Sequence, residues 1–129
     1  MIFEQILDEL RSNRELSRIS WQRLHNTFGD KFTNAWRLVT ENRIKKYVFR
    51  PSDRIVWIAV GQSGEYLIYP NAGYCSCSDF YFRVLDGEAA LCYHLIAQKI
   101  AEALNHFDII FEEDEVYNTL LDVWKKELA

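Results

Sequence analysis

No stretch of this 129-residue chain approaches the roughly 20 consecutive apolar residues that a membrane-spanning helix needs. The first residues, Met1-Ile2-Phe3-Glu4-Gln5, include an early acid and no basic stretch, so no secretory signal is read there. Asn-x-Ser/Thr glycosylation sites are absent as well. These absences lead us to expect an intracellular protein of the cytoplasm or nucleoid, or of the nucleus in a eukaryote. A phosphate-cradling glycine loop is also missing, so any ATP would belong to a partner. No set of side chains offers a nucleophile, a base and an orienting group together, and an enzyme is not expected. His25 with Asp30, or His106 with Glu102, make poor catalytic pairs for want of that nucleophile. Without internal repeats, low-complexity tracts or linkers, the length suits one domain over residues 1–129.

What is present is a globular composition. Apolar residues make up 49% and aromatics 15%, enough to build a core and to exclude a disordered chain. The net charge of -4 lacks the basic footprint of an independent nucleic-acid binder.

The hydrophobic period divides the chain into three parts. Over residues 1–42 it is helical. Ile2, Phe3, Ile6, Leu7 and Leu10 form a first stripe, ended by Ser12-Asn13. A second helix starts near Ser17, turns Ile19, Trp21, Leu24 and Phe28 inward, and stops at Gly29. Asp30 can cap a third, with Phe32, Ala35, Trp36 and Val39 on its stripe. From residue 43 the pattern is that of strands. Segments 44–50, 54–60 and 65–69 are rich in β-branched and aromatic residues, and the turn chemistry of Pro51-Ser52-Asp53 and Gly61-Gln62-Ser63-Gly64 separates them. They read as a three-stranded antiparallel meander whose wholly apolar middle strand, Ile55 to Val60, is buried on both faces. A long helix from about Cys92 to Asn105 follows, with Ile96, Ile100, Ala103, Leu104 and Phe107 on its apolar side. Residues 106–129 read as a final helix, over about 113–127, with Val116, Leu120, Trp124 and Leu128 in register. Helices, then strands, then helices make an α+β fold.

The chemistry concentrates in Cys75-x-Cys77, fourteen further residues, and Cys92-x-His94. In a reducing compartment clustered thiols are metal ligands or catalysts more often than disulfides, and three is an odd number for a disulfide framework. Three sulfurs and one imidazole suit one tetrahedral zinc ion, and a shell filled by protein leaves no position for a reactive water, which makes the site structural. Free thiols beside a core histidine, or a redox Cys-x-Cys pair, are the alternatives; nothing nearby resembles a thioredoxin-like unit. Residues i and i+2 of a helix lie on nearly opposite faces. Cys92 and His94 can therefore share an ion only if Cys92 sits at or before the first helical turn, where the helix end also favours a thiolate. Asp86-Gly87 is expected to turn the chain ahead of it.

The pattern Cys-x-Cys…Cys-x-His resembles the SWIM zinc finger. Tyr74-Cys75-Ser76-Cys77, Phe80-Tyr81-Phe82 with Val84-Leu85, and Leu91-Cys92-Tyr93-His94-Leu95 are similar to the small SWIM-domain subunit of Shu-type recombination-mediator complexes. So are Phe28-Gly29, Leu38-Val39, Val56 to Gly61, and Gln62-Ser63-Gly64 followed by Tyr66. The resemblance covers about residues 20–105, with the finger itself within 43–105. It implies a zinc-stabilised adaptor that pairs with a RecA-family recombinase paralogue, an ATPase, and supports recombinase filaments on single-stranded DNA. Two positions depart from the pattern: Ser78 stands where many such segments have proline, and Tyr93 where relatives often carry lysine.

Arg43, Lys45, Lys46, Arg50 and Arg54 cluster on the first hairpin. They read as a solvated strand face or, alternatively, as a DNA-facing ribbon with Tyr47 available to stack. Glu112-Glu113-Asp114-Glu115 reads as the acidic first turn of the last helix, or as a grip on a basic partner. His25 and His106 are expected at the surface or in packing, and the four tryptophans mostly in the core. The wide stripes of the first and last helices lead us to expect that one of them is covered by a partner or, in the isolated chain, by a second copy.

Overall fold

A computed structural model of the chain describes residues 2–61, 64–77 and 92–126. Three helices come first: α1 (Ile2–Asn13), α2 (Arg18–Phe28) and α3 (Asp30–Thr40). Strands β1 (Ile44–Arg50), β2 (Arg54–Val60) and β3 (Glu65–Tyr69) then form the expected antiparallel meander. A two-residue strand β4 (Tyr74–Cys75) pairs with β3. Helix α4 (Tyr93–Leu104), strand β5 (Asp108–Glu113) and helix α5 (Tyr117–Lys126) complete the chain. The fold is α+β around one mixed sheet, ordered β4-β3-β2-β1-β5, with β5 parallel to β1.

The helix boundaries have local causes. Ser17 caps α2 by accepting the backbone N–H of Ser20 at 3.2 Å. Gly29, at φ 61°, ends α2 and begins α3 in a conformation that costs a side chain strain. Asp30 is thus the first helical residue rather than the cap, and its charge meets the positive end of the helix. Helix α4 closes at left-handed Asn105, where the His106 N–H reaches back to the Ala101 carbonyl at 2.9 Å.

Two cores lie on opposite faces of the sheet. The larger joins Phe3, Ile6, Leu7 and Leu10 of α1, Leu24, and Phe32, Ala35, Leu38 and Val39 of α3 to α4 and to Ile44, Trp57, Ala59 and Ile68 of the sheet. Helix α4 is its axis: eight of its twelve residues are buried, so it presents no solvated face of the usual kind. The smaller core sets Trp124 of α5 against Phe49, Val56, Ile58 and Leu67. The Trp124 indole donates to a Glu65 carboxylate oxygen at 3.1 Å and meets the Tyr47 ring edge-on at 4.9 Å.

Several expectations are corrected. Ile19 points outward, 66% exposed, because Trp21 and Leu24 take the inner face of α2. Ile55 is half exposed, so β2 is buried on both faces only over Val56–Ala59. Residues 106–129 are not simply a helix: β5 precedes α5, which starts at Tyr117 after a 3-10 turn. Glu112 and Glu113 therefore belong to a strand, and Asp114 accepts the Ser52 N–H and hydroxyl, at 2.9 and 2.7 Å. That fastens the chain after β5 to the β1–β2 turn. The stripe of α1 is buried from Phe3 to Leu10, whereas α5 buries Trp124 and leaves Val123 47% exposed, with Val116 just ahead of it 37% exposed. Trp57 and Trp124 are core residues, whereas Trp21 and Trp36 pack at its margin. His25 and His106 are exposed, as expected. Leu128, Ser78, Asp86-Gly87 and the Gln62-Ser63 turn lie outside the described residues.

Replacing Trp124 with alanine removes the centre of the smaller core and the Glu65 bond. It is expected to cost about 3–5 kcal/mol in urea unfolding, with zinc content of the folded fraction unchanged. A loss below about 1 kcal/mol would contradict the placement of α5.

Candidate metal centre

Cys75, Cys77, Cys92 and His94 converge, all buried, with their ligand atoms within 4.8 Å of one another. Each pair is held by its own local device. Cys75 ends β4 opposite Ile68 of β3. Beyond it Ser76 brackets Leu67: its N–H donates to the Leu67 carbonyl at 3.0 Å, and its hydroxyl accepts the Leu67 N–H at 2.9 Å. The hydroxyl replaces a ladder carbonyl, so the chain hooks at Ser76 and both neighbouring sulfurs turn the same way. On the other side, Cys92 is the N-cap of α4, extended at φ -80°, ψ 162°, and its carbonyl receives the Ile96 N–H at 3.2 Å. His94 is the second helical residue. The extended cap undoes the opposition of i and i+2, as the spacing required.

The donors fit zinc. Both ring nitrogens of His94 are buried without a hydrogen-bond partner, a costly arrangement unless one of them meets a cation. The thiols crowd one another. Hydrogen bonds that the Cys75 thiol donates to Cys77 and Cys92, then burial, push its pKa far above the usual range. At Cys92 the bond to Cys75 lowers the pKa, but the bond to Cys77, burial and the nearness of that sulfur outweigh it and raise it to about 12. Three thiolates cannot coexist here without a divalent charge between them. Soft sulfur with one imidazole, in a closed set of four, selects zinc held for structure.

Aromatic residues wall the histidine. Tyr66 of β3 and Tyr93 lie 4.7 and 4.1 Å from His94, centroid to centroid. Gly61 allows this: a Cβ there would stand 2.7 Å from Cε2 of Tyr66. Tyr66 and Gly61 belonged to the resemblance, but nothing in their spacing pointed to the histidine.

The five basic residues do not assemble with the metal centre or with one another. Lys45 shares the α5 face of the sheet with Tyr47 and pairs with Asp108, while Lys46, on the opposite face, lies over Trp57 and Phe107. Arg54 stacks on Tyr117, Arg50 lies over Phe111 and pairs with Asp53 at 3.5 Å, and Arg43 pairs with Glu41 at 2.7 Å. Each has a partner within the chain.

No family model matches the sequence. Curated relatives do. The chain is 28% identical over 122 residues to Zinc finger SWIM domain-containing protein 7 homolog of Dictyostelium discoideum, covering 92% of this chain and 78% of that protein. It is 29% identical over 134 residues to Zinc finger SWIM domain-containing protein 7 of Homo sapiens, covering 99% and 95%, and 29% identical to that of Mus musculus, covering 93% and 82%. The site of three cysteines and one histidine fits a SWIM-type zinc finger. The similarity to these SWIM proteins runs beyond the finger, through the N-terminal helices and the C-terminal strand and helix.

Purified protein should hold one zinc per chain, and a strong chelator should lower its thermal midpoint by more than about 10 °C, since site affinity adds to fold stability. Cys92→Ser should lose both zinc and the packing of α4; a variant that kept both would refute the ligand set. Ser76→Ala leaves the Leu67 N–H buried without its acceptor, so about 1–3 kcal/mol of stability should go and zinc should exchange faster. Unchanged exchange would mean that Ser76 does not shape the hook.

Proposed function

We propose that the protein is a non-enzymatic, zinc-stabilised adaptor of homologous recombination, intracellular, that pairs with a RecA-family recombinase paralogue and supports recombinase filaments on single-stranded DNA. The closed shell of Cys75, Cys77, Cys92 and His94 carries the reading. All four ligands come from the chain, so the ion serves the fold and any activity lies in what the fold binds. The similarity of the sequence to the small SWIM subunit of Shu-type mediators supplies the kind of partner. The basic residues weigh against direct nucleic-acid binding by the chain alone, because they divide between the two faces of the sheet and are occupied by Asp108, Glu41, Asp53 and aromatic rings. DNA would be reached through the complex.

Co-expression with the RecA-family paralogues of the same genome, followed by size exclusion, tests this. One of them should co-elute with the zinc-loaded chain and lose it after Cys92→Ser. If none co-elutes, the adaptor reading fails. If the isolated chain binds single-stranded DNA with a steep salt dependence, it is a nucleic-acid module instead.

A further inference from the structure

Strand β5 has one neighbour, β1, and its other edge is uncovered among the described residues. A six-residue edge with apolar side chains is a template for another strand. The parallel register puts Ile109 beside Lys46 and Phe111 beside Val48, and Val48 is paired on its far side with Ile55. A row Ile55–Val48–Phe111 thus crosses three strands on the face that carries α4. The helices cover that face as far as Trp57 and no further. Ile55, Ile109 and Phe111 are 50%, 51% and 59% exposed, while Trp57 is buried. The Arg50 guanidinium lies over Phe111, 5.0 Å from its centroid. On the opposite face of β5 stand Asp108, Ile110 and Glu112. One side of the strand thus carries Ile109 and Phe111 and ends in Glu113, and the other sets Ile110 between two acids.

That alternation selects the occupant. Two copies of β5 paired about Ile110 would align Ile109 with Phe111, but would also set Asp108 opposite Glu112, twice by symmetry. Pairing about Phe111 puts Ile109 opposite Glu113 and Ile110 opposite Glu112, and pairing about Ile109 puts Ile110 opposite Asp108. Glu113 and Glu115, both exposed, add to the repulsion. We propose that the β5 edge receives an extended segment of a partner protein in which apolar and basic residues alternate. Its apolar side chains continue the Ile55–Val48–Phe111 row, and its basic side chains face Glu112, beside Asp108, which Lys45 already engages. The inference rests on the adaptor reading only in that a protein partner exists.

Short fluorescent peptides that alternate valine with lysine, serine with lysine, and valine with glutamate are the probes, titrated against zinc-loaded protein. The valine–lysine peptide should bind with Kd below about 1 mM and slow amide exchange in residues 108–113. The other two peptides should bind at least about tenfold more weakly. The double variant Ile109→Ser/Phe111→Ser, which alters only exposed side chains, should keep zinc and fold but weaken the valine–lysine peptide by a similar factor. Equal binding of the serine–lysine peptide, an unaffected variant, or no binding at all overturns the proposal. So does a wild-type dimer that the double variant abolishes, which would place a second copy on this edge. A recombinase paralogue that still co-elutes with the double variant overturns this surface and leaves the adaptor reading standing. If no paralogue co-elutes with the wild type, the adaptor reading falls and the peptides still decide the edge.

Discussion

Everything in this fold hangs on where α4 begins. Cys92 and His94 are two residues apart, and in a continuous helix they would face away from each other. The extended cap at Cys92 resolves the conflict, and it can sit at one place only, beside the sulfurs of Cys75 and Cys77. The helix that starts there has eight buried residues, with α1 and α3 packed on one side and the sheet on the other. Fixing its first turn therefore fixes the register of the larger core. A helix without a polar face gains little from being formed alone, since its stability comes from packing. The metal holds it at the point where packing begins.

Electrostatics make this arrangement conditional. Without the ion, three buried thiols and an imidazole with no hydrogen-bond partner face one another, and burial and proximity hold Cys75 and Cys92 in their protonated forms. With the ion, the same crowding becomes a ligand shell. Tyr66 and Tyr93 keep it away from water, and Gly61 has no side chain because Tyr66 needs the space. Zinc binding and core formation are thus thermodynamically coupled, each favouring the other.

The ligands were legible in the sequence because metal chemistry demands particular residue types at short range, and the helix-entrance position of Cys92 followed from the geometry of i and i+2 alone. The meander was legible for a similar reason: three β-rich runs, bounded by turn residues, match β1, β2 and β3 end for end. Strand β5 was not. Its apolar content is Ile109-Ile110-Phe111, too short for a period to show, and its flanking acids imitate the first turn of a helix. What makes it a strand is its pairing with β1, more than fifty residues earlier, which no local pattern encodes. The outward turn of Ile19 and the half-exposure of Ile55 have the same origin. A stripe or an apolar run marks what can be buried, and the neighbouring elements decide what is.

The two edges of the sheet are finished by different means, and the difference bears on what the protein is for. At one edge β4 has only two residues and passes directly into the metal hook, so little unpaired backbone is presented. At the other, β5 is three times as long, ends in acids, and leaves Ile109 and Phe111 uncovered among the described residues. A sheet whose only task was to be stable would gain from covering both. Here the zinc consolidates the half of the molecule formed by β3, β4 and α4, and β1 carries that rigidity across to β5 through continuous ladders. An edge strand held straight from behind needs no ordering of its own before a partner pairs with it, which lowers the entropic cost of association. On the docking proposal made for β5, the metal and the exposed edge are two ends of one device: the first anchors one side of the sheet, and the second is where a partner strand would pair.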